Sequence, residues 1–333
     1  MWTIKNDTPY VADRTIVVDK HGAKHYVVVV KGTFDIRADG TTKTADEQVP
    51  VCVAPEYTGD DGVSSLRYEQ DLLPPKPRTD VYVNGLAHAP GGRPTTRMTV
   101  GLGTPTGTKS IVVHGDRRWE RDLVGGITPT PPLPFATMPI VYERAWGGYD
   151  QGDPDPKQHK LDPRNTVGTG VFIRPANRIG KLLPNLEPMS GGAETPIGFG
   201  ALCSFWKPRT DYQGTYDAAW FEKRKPLLPV DYDAQWLQCA PPDQQFGPHL
   251  RGGEPFALSG MTPSGMLRFE LPKHYFAFTT HIGSKRQEHR AQINTVVIEP
   301  ELSRVIVLWH SMLSCHRDID DIDMTVVVEK PYV

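Results

Sequence analysis

Residues 14–36 contain Arg14-Thr-Ile-Val-Val18, the connection Asp19-Lys-His-Gly22 and then His25-Tyr-Val-Val-Val-Val-Lys-Gly-Thr-Phe-Asp-Ile36. Branched and aromatic side chains fit a pleated, half-buried surface better than a helix. Two such runs joined by a glycine-containing connection form a hairpin signal. Tyr26 to Val30 is the most continuous apolar run in the chain, and it is far too short to cross a bilayer. Its apolar residues fall on both faces of an extended chain, so the run reads as a buried strand.

Working outward, Asp80-Val-Tyr-Val83, Thr95-Thr-Arg-Met-Thr-Val100 and Ser110-Ile-Val-Val-His114 are further strand-like runs. In the middle one, alternation puts Thr96, Met98 and Val100 on one face and Thr95, Arg97 and Thr99 on the other, as a half-buried sheet requires. Strands resume at Met266-Leu-Arg-Phe-Glu-Leu271, Ile293-Asn-Thr-Val-Val-Ile298, Val305-Ile-Val-Leu-Trp309 and Met324-Thr-Val-Val-Val328, and Glu299-Pro-Glu-Leu-Ser-Arg304 makes a hairpin connection. Between 124 and 200 the patterning fades into Thr128-Pro-Thr-Pro-Pro-Leu-Pro134, Gly152-Asp-Pro-Asp-Pro156 and Ser190-Gly-Gly192, which predicts long ordered loops between short strands. One helix is expected near 216–225, with Asp217 at its start, basic residues in its last turn and Pro226 as its stop; Tyr216, Trp220 and Arg224 share its inward face. No fixed-period repeat is present, which excludes a solenoid or propeller.

The 333 residues carry 38% hydrophobic and 23% charged side chains, so disorder is excluded as the main state. The 37 basic and 39 acidic groups give a net charge of -2 and no global field that points to nucleic acid or an anionic membrane. Glycine (31) and proline (32) are abundant enough to demand many turns and few long helices. The fold class expected is mainly β, with antiparallel sheets packed in a sandwich-like or barrel-like way and long Pro/Gly-rich loops. The domain expected is 1–310, divisible into closely packed lobes of about 1–147 and 148–310, followed by an extension over 311–333 that ends in a strand. No secretory-type apolar run opens the sequence, so a cytoplasmic location is expected. Cys52, Cys203, Cys239 and Cys315 are scattered without paired spacing and read as reduced core residues.

No complete catalytic pattern stands out. The chain has no GxSxG elbow and no Walker motif, and Gly101-Leu-Gly-Thr-Pro-Thr-Gly107 lacks the helix that a phosphate loop requires. His310, Cys315 and His316 are the best zinc candidates, but a partner cysteine pair is missing. Asp318, Asp320, Asp321 and Asp323 read as a solvated acidic turn. Neither a metal nor a cofactor is expected. Glu143 with His114 offers a general base and a proton shuttle if burial shifts them, which defines one alternative: a hydrolase or lyase centred on these two. The competing reading is an Arg-carboxylate network in which Asp116 or Glu143 is satisfied by Arg117, Arg118 or Arg144. Seven tryptophans allow a second alternative, a carbohydrate-binding β-sandwich with exposed Trp platforms.

Several segments together resemble a bacterial family of domains of unknown function encoded in type VI secretion clusters. They include Asn6-Asp-Thr-Pro-Tyr10, Val30-Lys-Gly-Thr-Phe-Asp-Ile36, Gly115-Asp-Arg-Arg-Trp119 and Pro139-Ile-Val-Tyr-Glu-Arg-Ala-Trp-Gly-Gly148. Asn165-Thr-Val-Gly-Thr-Gly170, Leu183-Pro-Asn-Leu-Glu187, Pro196-Ile-Gly-Phe-Gly200, Trp206-Lys-Pro-Arg209 and Ala240-Pro-Pro-Asp-Gln244 continue the match in order. The resemblance implies a non-enzymatic effector adaptor or chaperone. Its expected partners are a type VI effector, bound through a PAAR-like region or toxin N-terminus, and the VgrG spike, with no nucleic acid and no membrane. The partner-binding residues expected are Arg117, Arg118, Trp119, Glu143, Arg144 and Trp146, charged and aromatic groups in a turn-rich stretch where binding groups gather.

Overall fold

The valine run lies inside Lys24–Ile36, a strand of 13 residues at the heart of the largest sheet. In the computed structural model, which describes residues 2–192, 194–315 and 319–331, Tyr26 and Val27 to Val30 are completely buried. Strand order in this sheet runs Gln245–Phe246, Thr79–Val83, Gln292–Glu299, Arg304–Ser314, Lys24–Ile36 and Val11–Val18, with Thr42–Thr44 added at the far end of Lys24–Ile36. Only Thr79–Val83 and Gln292–Glu299 run parallel; the other pairs are antiparallel. A central strand covered on both faces needs apolar residues at odd and even positions alike, which explains the unbroken run.

A four-stranded sheet, Thr3–Asp7, Ile322–Lys330, Tyr275–Ile282 and Lys285–Arg290, packs against it. Tyr275–Ile282 alternates between half-buried and buried, and Phe276 from its buried face meets Trp309 edge-on at 4.9 Å and Tyr10 at 5.5 Å. Hydroxyls and an imidazole also bridge the sheets. His289 bonds Thr280 Oγ1 at 2.8 Å and Ser311 Oγ at 2.6 Å, and Thr325 Oγ1 links Thr280 to Tyr26. Residues 311–314 therefore end an inner strand of the largest sheet, and 322–330 supply an inner strand of the four-stranded one.

The five-stranded sheet orders Leu186–Pro188, Gly107–His114, Arg97–Thr104, Pro255–Ser259 and Met266–Glu270. Gly101 to Gly107 spans a hairpin turn of this sheet, with Thr104 paired to Gly107. Strands from before and after residue 148 share all three of these sheets, so the 147/148 boundary does not fall between them. Residues 124–192 and 194–200 are ordered loop with strands of two or three residues. The helix forms over Ala218–Lys223, capped by Asp217, which accepts from Trp220 N at 2.8 Å. Its Trp220 meets Tyr216 at 4.7 Å and donates to Leu227 O, so this face packs on a loop and none of the helix residues is fully buried. Among the described residues, no helix is long and apolar enough to cross a membrane.

The loops are tied to the sheets by buried charge. Asp71 accepts from Lys31 Nζ at 2.8 Å and from Cys52 N at 2.7 Å, while its carbonyl accepts from His310 Nε2 at 2.7 Å. Lys76 Nζ donates to Asp80 at 2.7 Å and to Thr295 Oγ1 at 2.9 Å; Asp80 also accepts from Gln238 Nε2 and Cys239 N. Arg209 bonds Glu69 at 2.6 Å and the carbonyls of Leu202 and Trp236. All six charged groups are nearly inaccessible to solvent. Burial pushes the Asp71 carboxyl above its ordinary value against the pull of Lys31. Burial works hardest against the Lys76 ammonium, but the charge and hydrogen bond of Asp80, with Cys239 and Glu69 nearby, together raise that group.

Removing one partner leaves the other charge buried and unpaired. Arg209→Met is expected to destabilise the fold by about 3–5 kcal/mol in urea titration. Lys43→Ala, which breaks the exposed Lys43–Asp46 pair, is expected to change stability by less than about 1 kcal/mol.

Burial pushes the His289 and His310 imidazoles down to about 4. His310 Nε2 donates to the Asp71 carbonyl, and among the described residues its enclosed Nδ1 has no acceptor for the N–H that a second proton would create. The unfolded chain binds protons at both groups below their ordinary value near 6.5, whereas the folded chain refuses them until about 4. Their contribution is therefore fully present above about pH 6.5 and declines as pH falls toward 4. Urea titrations across that window should show the decline, and His289→Gln should flatten it.

Candidate functional site

Four of the loop segments meet around an open groove of about 770 Å³. Its floor is glycine: Gly147, Gly148, Gly168 and Gly170, with Thr169 and Val171 beside them. Tyr149, Asp150 and Gly152 form one rim, and Arg118, Asn177, Lys181 and Leu182 form the other.

The floor is a two-residue parallel pairing of Trp146–Gly147 with Thr169–Gly170, extended and braced by wholly buried Asn165. Its Nδ2 donates to the carbonyls of Tyr142 (2.8 Å) and Trp146 (2.9 Å), and its own carbonyl accepts from Gly148 N at 2.8 Å. Backbone groups without strand partners need such side chains. Gly147 has φ 147°, and a Cβ there would lie 2.2 Å from Asn165 O; Gly170 has φ 124°, and a Cβ there would lie 2.6 Å from the Trp146 ring. Below the floor, Trp146 Nε1 donates to Asp162 at 3.1 Å. Burial would raise that carboxyl, but two bonds from Arg164 hold it below its ordinary value.

The second wall is bound by charge. Glu187 takes His114 Nε2 at 3.3 Å and Arg117 Nη2 at 2.6 Å, contacts that hold its carboxyl down at about 2. Asp116 accepts from Arg144 Nη1 at 3.2 Å and Asn185 Nδ2 at 2.9 Å, which joins the two walls. The Arg178 guanidinium lies 4.3 Å above the Trp119 ring. Trp119 N donates to Lys181 O and Gly180 N to Trp119 O, so 117–121 and 178–183 run side by side.

Of the six residues expected to bind a partner, Arg118 lines the groove and is exposed, although one of its amines holds Gly180 O. Trp119 stands in the wall and Trp146 supports the floor. Arg117 and Arg144 are held in the wall networks. Glu143 does not join the arginines, since its carboxylate accepts from Ser65 N at 2.7 Å, from Ser65 Oγ and from Thr58 Oγ1. Asp116 does pair with Arg144, so the arginine-network reading holds for Asp116 and not for Glu143. His114 and Glu143 sit in separate networks, bonded to Glu187 and to Ser65 respectively. Sequence reading missed the Gly147–Gly148 and Gly168–Gly170 floor and the rim residues Tyr149 and Lys181. Its available signal was the Gly147-Gly148 doublet and the Gly168-Thr-Gly170 motif already present in the quoted segments.

The remaining candidates take structural places. All four cysteines are buried free thiols. His310 is buried against Asp71, and Cys315 lies at the end of the same strand; His316 and Asp318 fall outside the described residues. Asp320, Asp321 and Asp323 are exposed. Among the described residues, no three His, Cys, Asp or Glu side chains are grouped to hold a metal. Trp206 and Trp309 are buried and the other five tryptophans are half-buried, so none stands as an open platform.

Fold and site together define a mainly β protein whose loops build a preformed groove. The profile of a bacterial family described as an uncharacterized protein conserved in bacteria, DUF2169, matches residues 21–310, and the chain belongs to that family. No curated protein and no solved structure matches the chain.

The glycine floor makes a further prediction. Gly147→Ala is expected to lose about 1–3 kcal/mol or more in thermal unfolding, because strained backbone and a close contact coincide. Gly180→Ala, at φ 77° but with nothing near its Cβ, is expected to cost only about 1 kcal/mol.

Proposed function

We propose that the chain is a non-enzymatic adaptor that captures a type VI secretion effector, by its PAAR-like region or toxin N-terminus, keeps it soluble and carries it to the VgrG spike. The observation that carries this reading is the groove. Segments 115–119, 139–148, 165–170 and 183–187, which carry the resemblance to type VI adaptors, are far apart in the chain and converge on its floor and walls. A partner-binding surface needs a preformed shape with a few anchors and no reacting groups. The arrangement supports that use, because Asp116, Arg117, Arg144 and Glu187 hold the walls in place while Arg118 and Lys181 on the rim make no ion pair among the described residues. Association proceeds by docking, with no bond made or broken, and release follows when the spike competes for the effector.

Co-expression with each effector gene encoded beside it, followed by tag pull-down and light scattering on a sizing column, tests the reading. A discrete complex with raised soluble yield of the effector is expected. Failure to form a complex with any of them would overturn it.

A further inference from the structure

Beside the groove, Trp119–Arg121 pairs with Ile127–Pro129 in a hairpin that ends in Asp122-Leu-Val-Gly-Gly126. Leu123 and Val124 at its tip are 106% and 92% exposed, the two most exposed large apolar side chains among the described residues. The tip is not a slack loop. Asp122 Oδ1 accepts from Val124 N at 3.0 Å and Gly126 N at 2.7 Å, and Asp122 N donates back to Gly126 O at 3.0 Å. An Asx-type turn thus holds two aliphatic groups out in water at a fixed position, where they gain nothing in the free chain.

The ground around this tip is cationic. Segments 117–122 and 174–181 hold Arg117, Arg118, Arg121, Arg174, Arg178 and Lys181 against only Glu120 and Asp122, on a chain whose net charge is -2. Asp122 is occupied by its own turn. Arg117 is paired with Glu187 and Arg174 with Asp153, but Arg118, Arg121, Arg178 and Lys181 make no ion pair among the described residues. Two guanidinium N–H groups here, Nε of Arg117 and Nε of Arg178, are enclosed without an acceptor among the described residues.

We infer that the hairpin tip and this cationic rim are the docking surface for the effector, and that the effector segment it fits is an acidic stretch of polypeptide flanking an apolar cleft. This rests on the adaptor reading and gives it a partner chemistry. Leu123 and Val124 fill the cleft, and Arg118, Arg121, Arg178 and Lys181 face the carboxylates, the charge arrangement that speeds encounter and fixes register. The partner's chain then continues into the glycine groove, where Arg118 and Lys181 already form one rim. A concave groove next to the tip suits a polypeptide and not the flat surface of a bilayer. A nucleic acid would find cations but no use for two projecting aliphatic groups.

The probe is the effector encoded beside the gene, titrated against the full chain at several salt concentrations. L123D/V124D is expected to weaken binding at least 100-fold, and R118E/K181E at least 10-fold with a shallower salt dependence, both at unchanged melting temperature. Hydrogen exchange in the wild-type complex is expected to slow over 118–129 and 178–182. If both variants bind like the wild type while the complex forms, the surface is wrong and the adaptor reading stands. If the wild-type chain forms no complex, the adaptor reading fails and takes this surface with it. Binding of phosphatidylserine vesicles or duplex DNA by the wild type, lost in the same variants, would overturn the polypeptide assignment.

Discussion

Everything irregular in this molecule hangs on the ion pairs of residues 69–80. Lys31 from the central strand reaches Asp71, Lys76 reaches Asp80 and Thr295 at the next strands of the sheet, and Arg209 from the long loops reaches Glu69. Each charge costs heavily to desolvate and is tolerated only because its partner and its remaining hydrogen bonds are supplied. Loops without a ladder of their own are thereby fixed to the largest sheet. An apolar contact could hold them at many registers, whereas a salt bridge with satisfied carbonyls around it holds one. The price of that uniqueness is sensitivity to any change that strands one charge.

From this anchored body the loops build outward. Asn165 does for Tyr142, Trp146 and Gly148 what a neighbouring strand would do in a sheet, and glycine is required wherever backbone must pass that side chain closely. The charges at Asp116, Arg117, Arg144 and Glu187 then lock one wall to the other. What remains open is a glycine-floored groove with Arg118 and Lys181 on one rim and an apolar hairpin tip beside it. Recognition by such a surface is set by shape and field, with little reorganisation of the adaptor itself.

The sheets were legible because burial leaves a local record. The valines at 27–30 announce a strand covered on both faces, and Glu299 to Arg304 announces a hairpin turn between two apolar runs. The helix was legible from Asp217 and Pro226, although its inward face meets a loop in place of the core. The ion pairs left no such record: Lys31 and Asp71 are 40 residues apart and Arg209 and Glu69 are 140 apart, and no periodicity marks which charges will meet. The site was half legible. Segments 115–119 and 142–148 do converge, but most of their charged and aromatic side chains turn inward, because turn-rich backbone consumes side chains for its own hydrogen bonds. Leu123 and Val124 look ordinary in sequence, and only the geometry of the turn reveals that they project.

On this proposal a partner docks on the groove and not on the sheet edges. A photo-crosslinking residue at Tyr149, on the groove rim, tests it against the same residue at Val18 on the outer strand of the largest sheet, two positions of similar exposure. The effector is expected to be captured from Tyr149 and not from Val18. Capture from Val18 with none from Tyr149 would contradict it.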